Sequence, residues 1–472
     1  MRRVTRLLFC LVFVLGCSAQ ATAEELAEKI DAVMQEFVAL DQFSGTVLVA
    51  RGGDVFYARA FGEANKDHHV RNILETRFNI GSIGKTLTGV AVMQLVERGK
   101  IALDAPVASY LEGFPHGDGI TVHHLLSHTS GMANYMNHPD YRARMARIRS
   151  IGDALPLVLD QELVFDAPGE RFSYSNSGIV LLGAIIEKVT GKPYEEHLRE
   201  AVLAPAGMHD TGINYWDEVV ENRAVGYTRH PSGRFISTVY QVPPALSDGG
   251  IETTVLDLLK FDRALYGDTL LSEASKEKMF TPNLEGYGYC WGIRQTDGHR
   301  SVGHGGGAPG VSASFQRYLD DDVTIIVLSN YSGGATEPAR TLEAIVFGRD
   351  YPAPRRGADE IVYRAIMERG LEGARAEIET LEREGHKIDS SFPLNRLGYQ
   401  LLSDGEIDLA IGVFEINMHL FPDEANPYDS LAEAYLEKGD RASSIEYYTK
   451  ALEVDPDFTN ARQALERLKG EE

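Results

Sequence analysis

Apolar and polar positions along this chain fall into three regimes. Leu26, Ile30, Val33, Phe37 and Leu40 recur at spacings of three and four, which predicts an amphipathic helix over Glu24–Leu40. Phe43–Ala50 and Val55–Ala60 are short β-rich runs around Arg51-Gly52-Gly53-Asp54, a hairpin pattern. From Thr86 to about Leu271 the pattern is mainly helical with long loops. Val311–Tyr318 and Val323–Leu328 return to strand composition, hinged at Asp320-Asp321-Asp322. Thr336–Phe347 then reads as a helix able to fold back onto the sheet, with Pro338 tolerable in its first turn. Strands at both ends with helices between them predict an α+β domain over residues 24–350: an antiparallel sheet flanked by helices, with an inserted helical subdomain.

The third regime begins after Tyr351-Pro352-Ala353-Pro354-Arg355-Arg356-Gly357, whose composition marks a linker, taken as 351–360. Over residues 361–472 the pattern repeats at 34 residues: Leu397 with Leu431, Gly405 with Gly439, Ile411 with Ile445, Phe414 with Tyr448, Leu420 with Val454, Pro422 with Pro456. A period of this length predicts an all-α domain of stacked helix pairs. Ile361–Glu384 fits a degenerate earlier unit and Thr459–Leu468 a capping helix.

Composition adds three constraints. At 43% hydrophobic and 24% charged, the chain is globular rather than disordered or membrane-embedded, and 472 residues leave room for two or three domains. The net charge of −23 repels phosphate backbones and anionic membranes, which excludes nucleic-acid binding as a function. Residues 1–23 read as an export signal, with Arg2, Arg3 and Arg6 before the apolar Leu7–Leu15 and a small-x-small site at Ala21-Thr22-Ala23. A periplasmic or secreted protein is expected, its net charge moved from −23 to −26 by loss of those three arginines. The alternative is a lipoprotein anchored at Cys17 within Val14-Leu15-Gly16-Cys17, the only route to a membrane. Cys10 and Cys17 both lie in this segment, so Cys290 is left without an intrachain disulfide partner.

Candidate chemistry centres on Phe78-Asn79-Ile80-Gly81-Ser82-Ile83-Gly84-Lys85. If Ser82 opens a helix, positions i and i+3 share a face and the Lys85 amine reaches the Ser82 hydroxyl. An adjacent lysine is one arrangement that activates a serine nucleophile, and a helix N-terminus favours the negative charge that develops there. Ser275-Lys276-Glu277-Lys278 has the same spacing but a charged composition, and is expected to be solvated decoration. Tyr174 and Asn176, two apart before the apolar run Ile179–Ile186, point the same way if the backbone is extended. Gly303-His304-Gly305-Gly306-Gly307 precedes a strand, and its glycines leave the backbone open to close approach. Three other patterns carry less. Gly303-x-Gly305-x-x-Ala308 spells a dinucleotide fingerprint but precedes a strand rather than opening a helix. His124 and His128, four apart, lack a third metal ligand. Asp248 and Asp257 have no Gly-x-Ser-x-Gly elbow to serve.

Ser82-x-x-Lys85, Tyr174-x-Asn176 and His304-Gly305-Gly306, in that order, resemble the penicillin-recognising serine hydrolases: class C β-lactamases, D,D-carboxypeptidases, D-aminopeptidases and related esterases. The connecting strings Ile120–Gly131, Leu182–Gly191 and Gly249–Thr254 are similar to the same family, and the likeness runs from about Phe43 to Phe347. It implies a β-lactamase/transpeptidase-like fold with neither metal nor cofactor. Ser82 is then the nucleophile of an acyl-enzyme, with Lys85 and Tyr174 managing its proton. Asn176, His304, Gly305, Gly306 and Gly307 lie on the substrate side, Asn176 donating to a substrate amide oxygen and accepting from Lys85. The backbone N–H groups of Ser82 and Gly307 form the oxyanion hole. Substrates implied are amides or esters: D-amino-acid peptides, peptidoglycan-derived peptides, β-lactams or small esters. His304 stands where the β-lactamases usually carry lysine, which weakens a charge-based clamp on a carboxylate and favours peptidase or esterase chemistry. The 34-residue units resemble tetratricopeptide repeats, which pack on the hydrolase domain or dock a protein partner. A catalytically idle scaffold working through those repeats is the alternative function.

Overall fold

The computed structural model describes residues 22–386 and 388–470. The export segment expected at 1–23 therefore lies largely outside the described residues. Thr22 and Ala23 are the N-cap and first residue of helix α1 (Ala23–Ala39). Thr22 Oγ1 accepts from the Glu25 amide at 3.2 Å while the Glu25 carboxylate accepts from the Thr22 amide at 2.8 Å, a reciprocal cap. Among the described residues no helix is long and apolar enough to cross a membrane.

Strands β1 (Gly45–Arg51) and β2 (Asp54–Phe61) form the expected hairpin. The main chain then leaves the sheet for helices that include α2 (Gly84–Glu97) and α3 (Asn176–Thr190), a small hairpin of β3 (Tyr227–Arg229) and β4 (Phe235–Ser237), and α4 (Val255–Tyr266). It returns as β5 (Gly292–Thr296), β6 (His299–Ala308), β7 (Val311–Tyr318) and β8 (Val323–Ser329), closed by helix α5 (Thr336–Val346). The sheet order is β2-β1-β8-β7-β6-β5, antiparallel throughout, so the N-terminal hairpin pairs with the last strand.

Alternation along β1 and β8 divides two cores, as the two-residue period of a strand requires. Val47, Val49, Ile325 and Val327 face the terminal helices α1 and α5. Leu48, Ala50, Ile326 and Leu328 face the inserted helices, where α2 is buried on all sides from Gly84 to Leu95. The β3–β4 hairpin lies inside the stretch from Thr86 to about Leu271, whose sequence reads as helices and long loops with no strand. The run Gly303–Gly307, read in the sequence only as preceding a strand, is itself part of β6, and Gly303 pairs with both Gln316 and Gly292. Pairing with β7 along the whole run, and with β5 as far as Gly303, stabilises a strand that glycine composition alone argues against.

The C-terminal domain follows the 34-residue period. Helix α6 (Ala358–Arg383) breaks at Gly370, φ +69°, into a helix pair. Two further pairs follow, α7 (Phe392–Ser403) with α8 (Ile407–Leu420) and α9 (Ala425–Lys438) with α10 (Arg441–Val454). Helix α11 (Thr459–Gly470) covers the last pair. The matched positions are structurally equivalent: Leu397 and Leu431 are both fully buried, and Gly405 and Gly439 turn at φ +82° and +85°. A β-carbon on Gly398 would lie 2.3 Å from Phe414 Cε1. Gly398→Ala is therefore expected to cost about 1–3 kcal/mol by overpacking, read as a lower urea midpoint for this domain.

Candidate active site

Ser82 lies in a single 3₁₀ turn, Gly81–Ile83, that runs directly into α2. Lys85, one turn further, is fully buried; its Nζ donates to Ser82 Oγ at 2.8 Å and to the Asp248 carbonyl at 2.5 Å. Ser82 does not cap the helix, so its hydroxyl is committed to the lysine. The turn depends on Gly81, whose φ of +49° would strain any other residue and whose β-carbon would lie 2.8 Å from the Gly307 amide nitrogen. Across the cleft, a β-carbon on Gly306 would fall 1.8 Å from the Ile80 carbonyl oxygen. The glycines of β6 thus let its backbone run beside the Ser82 turn, bringing the Gly307 N–H to the serine.

Ser175 is extended and Asn176 opens α3, with Tyr174 just before them. The Tyr174 ring centre lies 5.1 Å from Lys85 Nζ, and the residue is 38% exposed. The Asn176 side chain lines the same cleft, but its Nδ2 turns to Asn134 Oδ1 at 3.4 Å and Met136 Sδ at 3.3 Å, leaving its Oδ1 without a partner. The expected acceptance from Lys85 is therefore not made in this arrangement; the Asp248 carbonyl takes that place. The cleft, about 70 Å³, is lined by Ser82, Asn176, Met136, Pro243, Pro244 and Gly307, among others.

His304 projects from β6 into a cluster of rings that the sequence did not announce. His128 packs 4.3 Å from Tyr174 and 4.9 Å from Tyr287, and Tyr174 lies 6.2 Å from His304. His304 Nδ1 lies 2.5 Å from the Gly305 carbonyl, so that nitrogen carries the proton; Nε2 then accepts from the Tyr287 hydroxyl at 2.9 Å. Burial, and then the nearby positive charge of Lys85, push the His304 pKa down to about 4. His304 is thus a neutral ring at neutral pH, with both nitrogens engaged. The same two causes, with His304 added, hold His128 well below its ordinary value. Asp248, which supplies the carbonyl for Lys85, has its carboxyl raised by burial; Lys85 opposes that shift and Tyr135 donates to it at 3.2 Å.

The remaining sequence candidates separate from this site. His124 Nδ1 accepts from the Thr121 amide at 3.2 Å, while His128 lies past the end of helix Val122–Leu126 at φ +55°. The four-residue spacing therefore does not place them on one face. Among the described residues no group of three His, Cys, Asp or Glu side chains is arranged to hold a metal. Asp257 accepts from the Asp210 amide at 2.7 Å and bonds Lys260, away from the serine. Ser275 and Lys276 correct the expectation of a solvated stretch. Both are buried on the short helix Glu273–Met279, and Lys276 Nζ bonds Glu273 and the Gly267 carbonyl.

Comparison with known proteins gives the family and the fold. The beta-lactamase family model matches residues 30–348, and the tetratricopeptide repeat model matches 425–458. Penicillin-binding protein 4* of Bacillus subtilis is 34% identical over 346 residues, 68% of this chain and 76% of that protein. A penicillin-binding protein from Bacillus halodurans superposes with a TM-score of 0.62 at 33% identity, covering 66% of this chain and 98% of the other. A D-stereospecific amidohydrolase from Streptomyces gives 0.59 at 26% identity, covering 70% and 100%.

Proposed function

From the premise that this chain belongs to the beta-lactamase family, and is a serine hydrolase with a tetratricopeptide-type array behind its hydrolase domain, we propose that it acts through a Ser82 acyl-enzyme on amides or esters whose acyl side carries a D-residue. The observation that carries the reading is the fully buried Lys85 held 2.8 Å from Ser82 Oγ by the Asp248 carbonyl. In acylation, Ser82 Oγ attacks the substrate carbonyl carbon and its proton passes towards Lys85 and Tyr174. The tetrahedral oxyanion is met by the N–H groups of Ser82 and Gly307, a contribution worth about 10²–10³ in rate per donor. Protonation of the leaving group collapses the intermediate, and water then releases the acyl group.

Neutral His304 selects the substrate. With no cation at that position, a free carboxylate gains no charge clamp, which favours amides and esters with uncharged leaving groups over D,D-carboxypeptidase substrates and β-lactams. The likeness to a D-stereospecific amidohydrolase supports the D configuration. We further propose that residues 1–23 direct export, on the strength of the arginines before the apolar run and the Ala21-Thr22-Ala23 site. The test of specificity is a panel of D-aminoacyl amides, D-Ala-D-Ala peptides, cephalosporins and p-nitrophenyl esters. D-aminoacyl amides and esters are expected to give the highest kcat/KM. His304→Lys is expected to shift the ratio by about tenfold towards carboxylate-bearing substrates, the size of one modest charge interaction. Highest turnover on cephalosporins by the wild-type protein would contradict the assignment.

A further inference from the structure

The β3–β4 hairpin connects the helical repeats to the Ser82 cleft. At its tip, His230 is buried; Nδ1 accepts from the Ser232 amide at 3.0 Å, so Nε2 carries the proton and donates to Asp404 Oδ2 at 2.8 Å. Asp404 closes the α7–α8 turn and also lies 3.7 Å from Arg234. Arg229 donates to Glu360 of α6 at 2.6 Å, a carboxylate that is 4% exposed, and the Tyr363 ring packs 5.4 Å from His230. Two helix pairs of the repeat domain thus grip one end of a two-stranded ribbon, and such a ribbon is marginal when unsupported.

The other end of the ribbon carries two walls of the cleft. Tyr227 is bonded on both sides to the loop after β8, through the Asn330 carbonyl at 2.8 Å and the Ser332 amide at 3.0 Å. Ser332 Oγ in turn accepts from the Gly310 amide at 2.7 Å in the β6–β7 turn, next to the cleft-lining Gly307 and Ala308. Gly226 approaches Gly310 so closely that a β-carbon there would lie 2.8 Å from its carbonyl oxygen. Thr238, leaving β4, donates its amide to Gly226 at 3.0 Å, and the chain then runs through Pro243 and Pro244, which line the cleft. It continues to Asp248, whose carbonyl holds Lys85.

We propose that the helical repeats are a positioning element of the Ser82 cleft, with Arg229, His230, Glu360 and Asp404 as the positioning residues that fix the Pro243–Pro244 wall. The proposal rests on the Ser82 cleft being the substrate site. On this proposal the wall receives the acyl side chain rather than the reacting carbonyl, so that releasing the clamp loosens the fit of bulky acyl groups and spares the chemistry. Misplacement by about 1 Å remote from the reacting atoms costs up to about 10² in rate, so an intermediate loss is expected.

The test uses the full-length protein with Asp404→Ala, and Asp404→Asn as the conservative variant that keeps an acceptor for His230. Amide hydrogen exchange in residues 238–246 of Asp404→Ala is expected to rise about tenfold while β1 and β8 are unchanged, the signature of local rather than global opening. On p-nitrophenyl hexanoate kcat/KM is expected to fall by about tenfold, through KM, while p-nitrophenyl acetate stays within about twofold. Asp404→Asn restores both. Arg229→Gln asks the same question at the other ion pair should Asp404→Ala fold poorly. Unchanged exchange at 238–246, or equal losses on both esters, overturns the proposal. Failure of the acyl-enzyme reading shows itself separately, as no covalent labelling of Ser82 in the wild-type protein.

Discussion

Ser82→Ala and Lys85→Ala are each expected to lower kcat/KM on p-nitrophenyl acetate by at least about 10⁴-fold, and the double variant by little more than either alone, as holds for residues acting as a unit. The geometry explains the non-additivity: the lysine makes one hydrogen bond to the nucleophile and one to a fixed carbonyl, so it has no separate task once Ser82 is gone. Tyr174→Phe is expected to lose about 10²–10⁴-fold, the usual scale of general acid–base assistance, with little change in melting temperature. Its ring is 38% exposed, and the packing against His128 survives loss of the hydroxyl. Retention by Tyr174→Phe of more than about a third of wild-type kcat/KM, far outside that scale, would move the proton relay elsewhere.

The largest effect on stability is expected at Asp262, on the face of α4 that meets the sheet. Its carboxylate accepts from Arg317 Nε at 2.5 Å, Thr324 Oγ1 at 2.8 Å and Arg263 Nε at 2.8 Å, and both Asp262 and Arg317 are essentially inaccessible to solvent. Asp262→Ala leaves the Arg317 guanidinium buried among Tyr266, Phe280 and Trp291 without the carboxylate it is hydrogen-bonded to. Removing one partner of a buried pair typically costs about 3–5 kcal/mol, read as a lower denaturant midpoint with an unchanged m-value. Asp262→Ala with Arg317→Met should recover much of the loss, because an apolar replacement of the whole pair leaves no stranded charge. A loss under about 1 kcal/mol would mean the pair is solvated, as exposed pairs are.

How much of this was legible depended on whether partners were close in sequence. The Ser82–Lys85 contact follows from three-residue spacing at a helix start, and the repeats follow from one period, so both could be read from the chain. The ring cluster could not: His128, Tyr174, Tyr287 and His304 come from four separate segments, and nothing local marks their convergence. The weak charge at His304 follows from histidine chemistry alone, but the further fall of its pKa to about 4 could not be read, since its causes are burial and then Lys85. The partner of Lys85 was misjudged for the same reason. Asn176 shares the cleft, but the Asp248 carbonyl, 163 residues away from Lys85, completes the lysine's hydrogen bonds. The β3–β4 hairpin is hidden because strands this short show no periodicity, and its partners are remote in sequence: Asn330 and Ser332 after β8, and Asp404 and Glu360 in another domain. Ser275–Lys278 shows the converse error, since a charged composition concealed a lysine buried by its own helix and the preceding turn.

The central claim is that Ser82 is the atom acylated. Incubation of the full-length protein with a fluorophosphonate, followed by peptide mapping by mass spectrometry, tests it most directly. The account predicts stoichiometric label on the peptide carrying Ser82, lost in Ser82→Ala and slowed in Lys85→Ala. Label on Ser275 or elsewhere, or undiminished label and turnover in a folded Ser82→Ala variant, would contradict it.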